Sequence, residues 1–276
     1  MTTMFETLKQ KLNTIEIDGI KLYIAEGDTL LTEAQLEVYA DLREAEIAAH
    51  EAAKRADSAG MGMGRVGGVQ PRGLIAQTRN GQVVKWKAGK VLSWRCAKDS
   101  FGGNAGHYQM VVDSMKAATA AWEAACGVNF EYHPELDGKP GVGPEGMVFV
   151  VREFNAGGKF IAASFFPSDP VERRTVNVDP SFYTTGFDKV GVFRHELGHV
   201  LGFRHEHIRN DAPPVCPNEQ LWDTQVLTSY DPHSVMHYFC GGAGSHDLAI
   251  TDLDRKGAQQ VYGLSLAGQA QVDPGG

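Results

Sequence analysis

The sequence predicts an α+β fold, a small N-terminal unit followed by a larger one in which two helices sit among several short strands. Three observations carry that reading. Short apolar runs bounded by turn residues recur at 128–134, 146–154, 160–167 and 174–180, each too brief for a typical helix. Apolar residues at helical spacing fill 107–126, and a second helical stretch, 190–202, follows the last strand. A glycine-dense break at 58–73, SAGMGMGRVGGVQPRG, divides the chain into 1–57 and 74–276 and reads as a linker.

Composition sets the bounds. A chain of 276 residues buries a core without difficulty. Hydrophobic residues at 42% and charged residues at 22% describe an ordinary globular protein. A net charge of -8 argues against nucleic acid or an anionic membrane surface as the main partner. No apolar run approaches the roughly 18 residues of a membrane span. The first residues, MTTMFETLKQKLNTIEIDG, lack an apolar core segment, so no secretory signal is visible. Cys96, Cys126, Cys216 and Cys240 form no CxxC pair, which leaves two disulfides or four buried thiols open.

Taken in order, residues 15–31 alternate around Asp18-Gly19 and predict a β-hairpin. Thr32 opens a helix, with Gln35 completing a capping-box pair and Leu36, Tyr39, Leu42 and Ile47 forming a thin apolar stripe. After the linker, VVKWKAGKVLSWRC (83–96) predicts a hairpin or strand pair ending near Cys96. The 107–126 helix carries Met110/Val111, Met115, Ala118, Trp122 and Ala125 on one stripe, a packing face. Gly127 ends it. No internal repeat is present.

The chemistry lies in HELGHVLGFRHEH, residues 195–207. His195 and His199 are four apart, so a helix puts both rings on one face, one turn apart. Neutral imidazole is a good ligand for Zn2+. Glu196, next to the first ligand, is placed to take a proton from the attacking water. Gly202 can take a positive φ at no steric cost, stopping the helix and returning His205 as a third ligand. Three protein ligands and one open position describe a catalytic zinc site.

This is the HExxHxxGxxH pattern, and here the sequence resembles the metzincin metalloproteases. The resemblance implies a twisted, mostly parallel sheet, two long helices, a cleft and an irregular C-terminal half. It implies a zinc-dependent endopeptidase acting on a protein or peptide substrate. SVMHY, at 234–238, is similar to the metzincin Met-turn, which would put Met236 beneath the zinc ligands. Tyr238 matches the tyrosine of astacin-type enzymes, which hydrogen-bonds the oxyanion of the reaction. Glu206, in GFRHEH, matches a glutamate that meets the trimmed N-terminus in active astacins. The likeness is nearest to bacterial astacin-like peptidases and covers roughly 83–263. The cysteine positions differ from those of animal astacins. Pairing of Cys216 with Cys240 would pin the Met-turn, and Cys96 with Cys126 would form a second bridge.

The first 57 residues then read as a pro-segment. AEGD (25–28) resembles the EGD of astacin pro-segments, where the aspartate takes the place of water on zinc. Asp28 is therefore expected to be a fourth ligand in the latent form only, until an activating protease cuts around residues 60–80. Secretion is the expected fate, although no signal peptide is visible. Two other functions stay open: a catalytically silent zinc-bearing binding or inhibitory domain, and a secreted effector or toxin protease of narrow specificity.

Overall fold

The chain enters through a short helix, α1 (Met4–Lys11), capped by the Thr3 hydroxyl, which accepts from the Glu6 amide. β1 (Thr14–Ile17) and β2 (Ile20–Ala25) pair antiparallel across Asp18-Gly19. Both turn residues have positive φ, 52° and 77°, as a two-residue hairpin of this twist demands. β3 (Thr29–Leu31) then pairs with β2, so a second hairpin follows whose tip is Glu26-Gly27-Asp28. Thr32 and Gln35 cap the next helix, α2 (33–41), reciprocally. Thr32 N donates to Gln35 Oε1 at 3.0 Å and Gln35 N to Thr32 Oγ1 at 3.3 Å. Leu36, Tyr39 and Ala40 bury against Leu8, Tyr23 and Ala25, so the thin stripe of α2 closes a small core within this unit. The structure, a computed structural model, describes residues 3–41, 44, 48, 74–79, 81–141, 143, 146–208, 224–239 and 242–266. The 58–73 linker lies outside them, as do Leu42 and Ile47.

In the larger unit β4 (Ile75–Arg79) pairs with β5 (Gln82–Val83). β6 (Val91–Cys96) enters a different sheet, so 83–96 is not one hairpin. α3 (Ala105–Ala125) crosses over to β7 (Asn129–Tyr132), which lies parallel to β6. β8 (Phe149–Glu153) and β10 (Thr175–Val178) add further parallel strands. β9 (Ala162–Ala163) closes one edge antiparallel to β10, giving the order β7-β6-β8-β10-β9. Every residue of β10 and the first four of β8 are buried, as expected of strands covered on both faces. The apolar run 160–167 contributes only two residues of strand.

α4 (Lys189–Val200) packs on α3, where Trp122 Nε1 donates to Arg194 O at 2.8 Å. β11 (Phe203–Arg204) and β12 (Thr224–Val226) pair with β4. α5 (Asp252–Tyr262) ends the described fold behind a capping box, Thr251 with Asp254. Among the described residues, no helix is long and apolar enough to cross a membrane.

The expected Cys96–Cys126 bridge does not form; both are free, buried thiols. Connectivity explains it. Cys96 ends β6, while α3 runs back along the sheet and delivers Cys126 just before β7, whose Asn129 pairs with Val91 at the other end of β6. Five residues of strand separate those ends, roughly 17 Å, whereas a disulfide needs Cα atoms within about 7 Å. Burial pushes the Cys126 thiol up to about 12 and that of Cys96 well above its ordinary range. Cys216 and Cys240 lie outside the described residues.

Candidate active site

α4 begins at Asp188, whose carboxylate accepts from Gly191 N at 2.6 Å, and it buries nearly its whole length. One turn of this helix separates His195 from His199. Gly202 then takes φ 93°, and a Cβ there would meet Val84 O at 2.4 Å, so only glycine makes this turn. The turn feeds β11, which brings His205 back beneath the helix.

Whether zinc fits can be judged from the donors. His195 Nδ1 lies 2.7 Å from Val235 O and His199 Nδ1 lies 2.8 Å from Phe203 O. A carbonyl only accepts, so both Nδ1 atoms carry hydrogen and both Nε2 atoms present lone pairs. Each Nε2 is 3.1 Å from His205 Nε2. One proton on His205 could relieve only one of these two contacts, whereas a cation between the rings satisfies all three nitrogens. Tetrahedral zinc with Zn–N of about 2.05 Å separates its ligand atoms by about 3.3 Å, close to what is found.

Asp28 is the fourth member of this group. Its Oδ atoms lie 3.4 Å from His195 Nε2, 3.6 Å from His199 Nε2 and 3.3 Å from His205 Nε2. These four ligand atoms all fall within 4.8 Å of one another, and all four residues are buried. The tip of the second hairpin thus reaches the histidines. Glu26 and Gly27 turn it with φ of 53° and 83°, and a Cβ on Gly27 would meet Tyr238 Oη at 2.5 Å. Burial raises the Asp28 carboxyl, but the three histidines around it, His205 foremost, outweigh that and hold the carboxyl well below its usual range.

Glu196 is 3% exposed, and its Oε2 accepts no hydrogen bond among the described residues. Burial, and then the Asp28 charge, push its carboxyl up to about 8. Tyr238 stacks over His195 and His207, and its hydroxyl lies 2.7 Å from Asp28 Oδ2 and against the Glu26 carbonyl. Glu206 is fully buried rather than a surface charge; its Oε1 accepts from Asp231 N at 3.0 Å and its amide donates to Met236 O at 2.8 Å. His207 and His237 are likewise buried.

Met236 is completely buried under α4. Two supports of this floor escaped the sequence reading. A Cβ on Gly198 would lie 2.2 Å from Met236 Sδ, so the residue just before His199 must be glycine for the floor to rise this close. Asp254, also fully buried, accepts from Ser234 Oγ at 2.6 Å, Val235 N at 2.8 Å and Thr251 N at 3.0 Å, tying the turn to α5. Its signal in the sequence is the TDLD capping box at 251–254. Gly198→Ala is expected to lower stability by about 1–3 kcal/mol through overpacking, read as a drop in urea midpoint with an unchanged slope.

The family model for the astacin peptidases matches residues 173–214. Among solved structures the chain is similar to myroilysin, at 20% identity and TM-score 0.46 over 68% of this chain and 98% of that one. It is also similar to high choriolytic enzyme 1, a hatching enzyme zinc-protease from Oryzias latipes (medaka fish), at 15% identity and TM-score 0.44 over 68% and 99%. The family match spans the zinc helix, so over 173–214 the chain is similar to the astacin peptidases, and there its three histidines converge with Asp28 as a group able to hold a metal.

Proposed function

We propose that this chain is the latent form of an astacin-like zinc endopeptidase, with residues 1–57 as pro-segment and Asp28 as the group that closes the zinc site. The observation that carries the reading is the hairpin tip itself, which puts a buried carboxylate within 3.6 Å of all three histidines. His195, His199 and His205 would hold zinc, and Asp28 would complete the set until the segment leaves. Bound zinc supplies Lewis acidity, polarising the scissile carbonyl and making water a better nucleophile near neutral pH.

The chain's own residues supply the rest. Glu196, buried and with an unengaged oxygen, takes the proton from the attacking water and returns it to the leaving amine. Tyr238, released from Asp28, directs its hydroxyl at the oxyanion. Val235 and Phe203 carbonyls keep two imidazoles in the tautomer that leaves Nε2 free. Glu206 braces Asp231 and the Met-turn, and after cleavage it would meet the trimmed N-terminus, as the matching glutamate of active astacins does. Activation requires an external cut in or after residues 58–73, as expected of a secreted enzyme kept silent until delivery.

The test is hydrolysis of quenched fluorescent peptides by the full chain before and after limited proteolysis. Cleaved enzyme is expected to hydrolyse them, uncut chain far less, and a chelator to abolish turnover with recovery on adding Zn2+. A zinc-loaded, cleaved chain that hydrolyses no peptide would instead favour the silent zinc-bearing domain.

A further inference from the structure

The N-terminal unit meets the rest of the chain at two places, and only one of them is the zinc site. Its three-stranded sheet is a layer with two apolar faces, because successive strand residues point to opposite sides. Tyr23 and Ala25 of β2 pack with Leu8, Leu36, Tyr39 and Ala40 of α1 and α2, a core that this unit makes by itself. Leu22 and Ile24, with Ile15 and Ile17 of β1 and Leu30 of β3, pack instead on Ala156, Phe160 and Ala163. Residues 3–41 therefore form a folded unit with a docking face, rather than an extended strap over the cleft.

The first hairpin adds a charged anchor to that face. Arg152, on β8, has a side chain only 3% exposed, and its guanidinium donates to both carboxylate oxygens of Asp18, at 3.1 and 2.8 Å. Its Nε donates to Asn177 Oδ1, on the neighbouring β10, at 2.7 Å. A fork of donors against one carboxylate is among the stronger polar pairings a protein makes. The anchor is remote from the metal. Asp18 and Asp28 stand at opposite ends of β2, whose six residues span roughly 17–20 Å. Near the metal the unit adds the Glu26–Arg204 pair; at its flanks Lys159 Nζ donates to Thr14 O at 2.8 Å and Arg173 to Leu30 O at 2.9 Å. None of these contacts uses residues 58–73. A cut there removes only the tether, which holds the unit at an effective concentration on the order of millimolar.

We infer that the freed N-terminal unit is an inhibitor in its own right: after the linker is cut it stays docked on the sheet face around Arg152, and the enzyme becomes active as that unit dissociates. This rests on the endopeptidase reading above. It makes activity depend on dilution, or on a further cut within residues 3–41, as well as on the linker cut.

The experiment starts from the full chain, folded with zinc and cut within residues 58–73 by an added protease. In Glu196→Gln, which cannot digest its own segment, gel filtration at micromolar concentration should return both pieces in one peak. Adding Asp28→Ala in that background should leave them together, because the anchor lies away from the metal. Asp18→Asn is the deciding variant. Asparagine accepts the left-handed φ of 52° found there, and Asn-Gly favours this turn, so the hairpin persists while Arg152 loses its carboxylate. The concentration at which the pieces separate should rise about ten-fold or more, with the circular dichroism of the uncut chain unchanged.

In cut wild type, hydrolysis per mole of enzyme should climb on serial dilution to a plateau, and the released unit added back should suppress it. Two separate peaks straight after the cut, separation on Asp28→Ala, an unmoved midpoint in Asp18→Asn, or full hydrolysis at every concentration would overturn the inference. If cut wild type hydrolyses no peptide even where its pieces have separated, the endopeptidase reading fails, while gel filtration still decides whether the unit stays docked.

Discussion

Glu196→Gln is expected to bind one zinc per chain and yet lose roughly 10²–10⁴ in kcat/KM after proteolytic activation, the range for removal of a general base. The two effects separate because Glu196 is not among the groups that converge on the metal site, which are Asp28, His195, His199 and His205. Glutamine keeps the shape of the side chain in its buried setting but cannot accept the proton. Zinc content by atomic absorption and initial rates on one peptide check both halves. Retained turnover would remove Glu196 from the mechanism. Loss of zinc along with turnover would show that the buried carboxylate supports the site's structure instead. His205→Ala, by contrast, is expected to lose zinc.

The second large effect belongs to Asp28. In the uncut chain, Asp28→Ala should raise peptide hydrolysis over wild type by roughly ten- to a hundred-fold. That range follows from losing one charge-assisted contact of about 1.5–3 kcal/mol, at 1.4 kcal/mol per factor of ten. The rise should stop short of the cleaved enzyme, because other contacts still hold the segment over the cleft. Asp18 grips Arg152 at 2.8 and 3.1 Å, Arg173 donates to Leu30 O at 2.9 Å, and Gln35 holds Asp169 at 2.7 Å. Ile15, Ile17, Leu22 and Leu30 bury against Phe160 and Ala163. An unchanged rate in Asp28→Ala would mean that steric cover, rather than the carboxylate, keeps the chain silent.

Much of this site is legible in the sequence, because its chemistry uses local spacing. His195 and His199 are read from helical periodicity, and Gly202 from the turn that must follow. AEGD and SVMHY carry meaning once the histidines are in view. What could not be read is set by long-range approach. Nothing local says that Gly198 must lack a Cβ; Met236, nearly forty positions on, imposes that. Arg204 looks like any polar residue until Glu26 is found against it. The Cys96–Cys126 expectation failed for the same reason. Ends of successive elements are neighbours in the chain, yet a parallel crossover sends them to opposite ends of the paired strands. The small hairpin was visible from Asp18-Gly19, but its continuation through β3, which aims Asp28, was not.

That Asp28 closes the zinc site of the uncut chain is tested most directly by a crystal structure of that chain, phased at the zinc edge. One zinc is expected with three histidine nitrogens at about 2.0–2.1 Å and an Asp28 oxygen at about 2.0–2.2 Å. A water at the fourth position, with the Asp28 carboxylate turned away from the metal, would contradict the account.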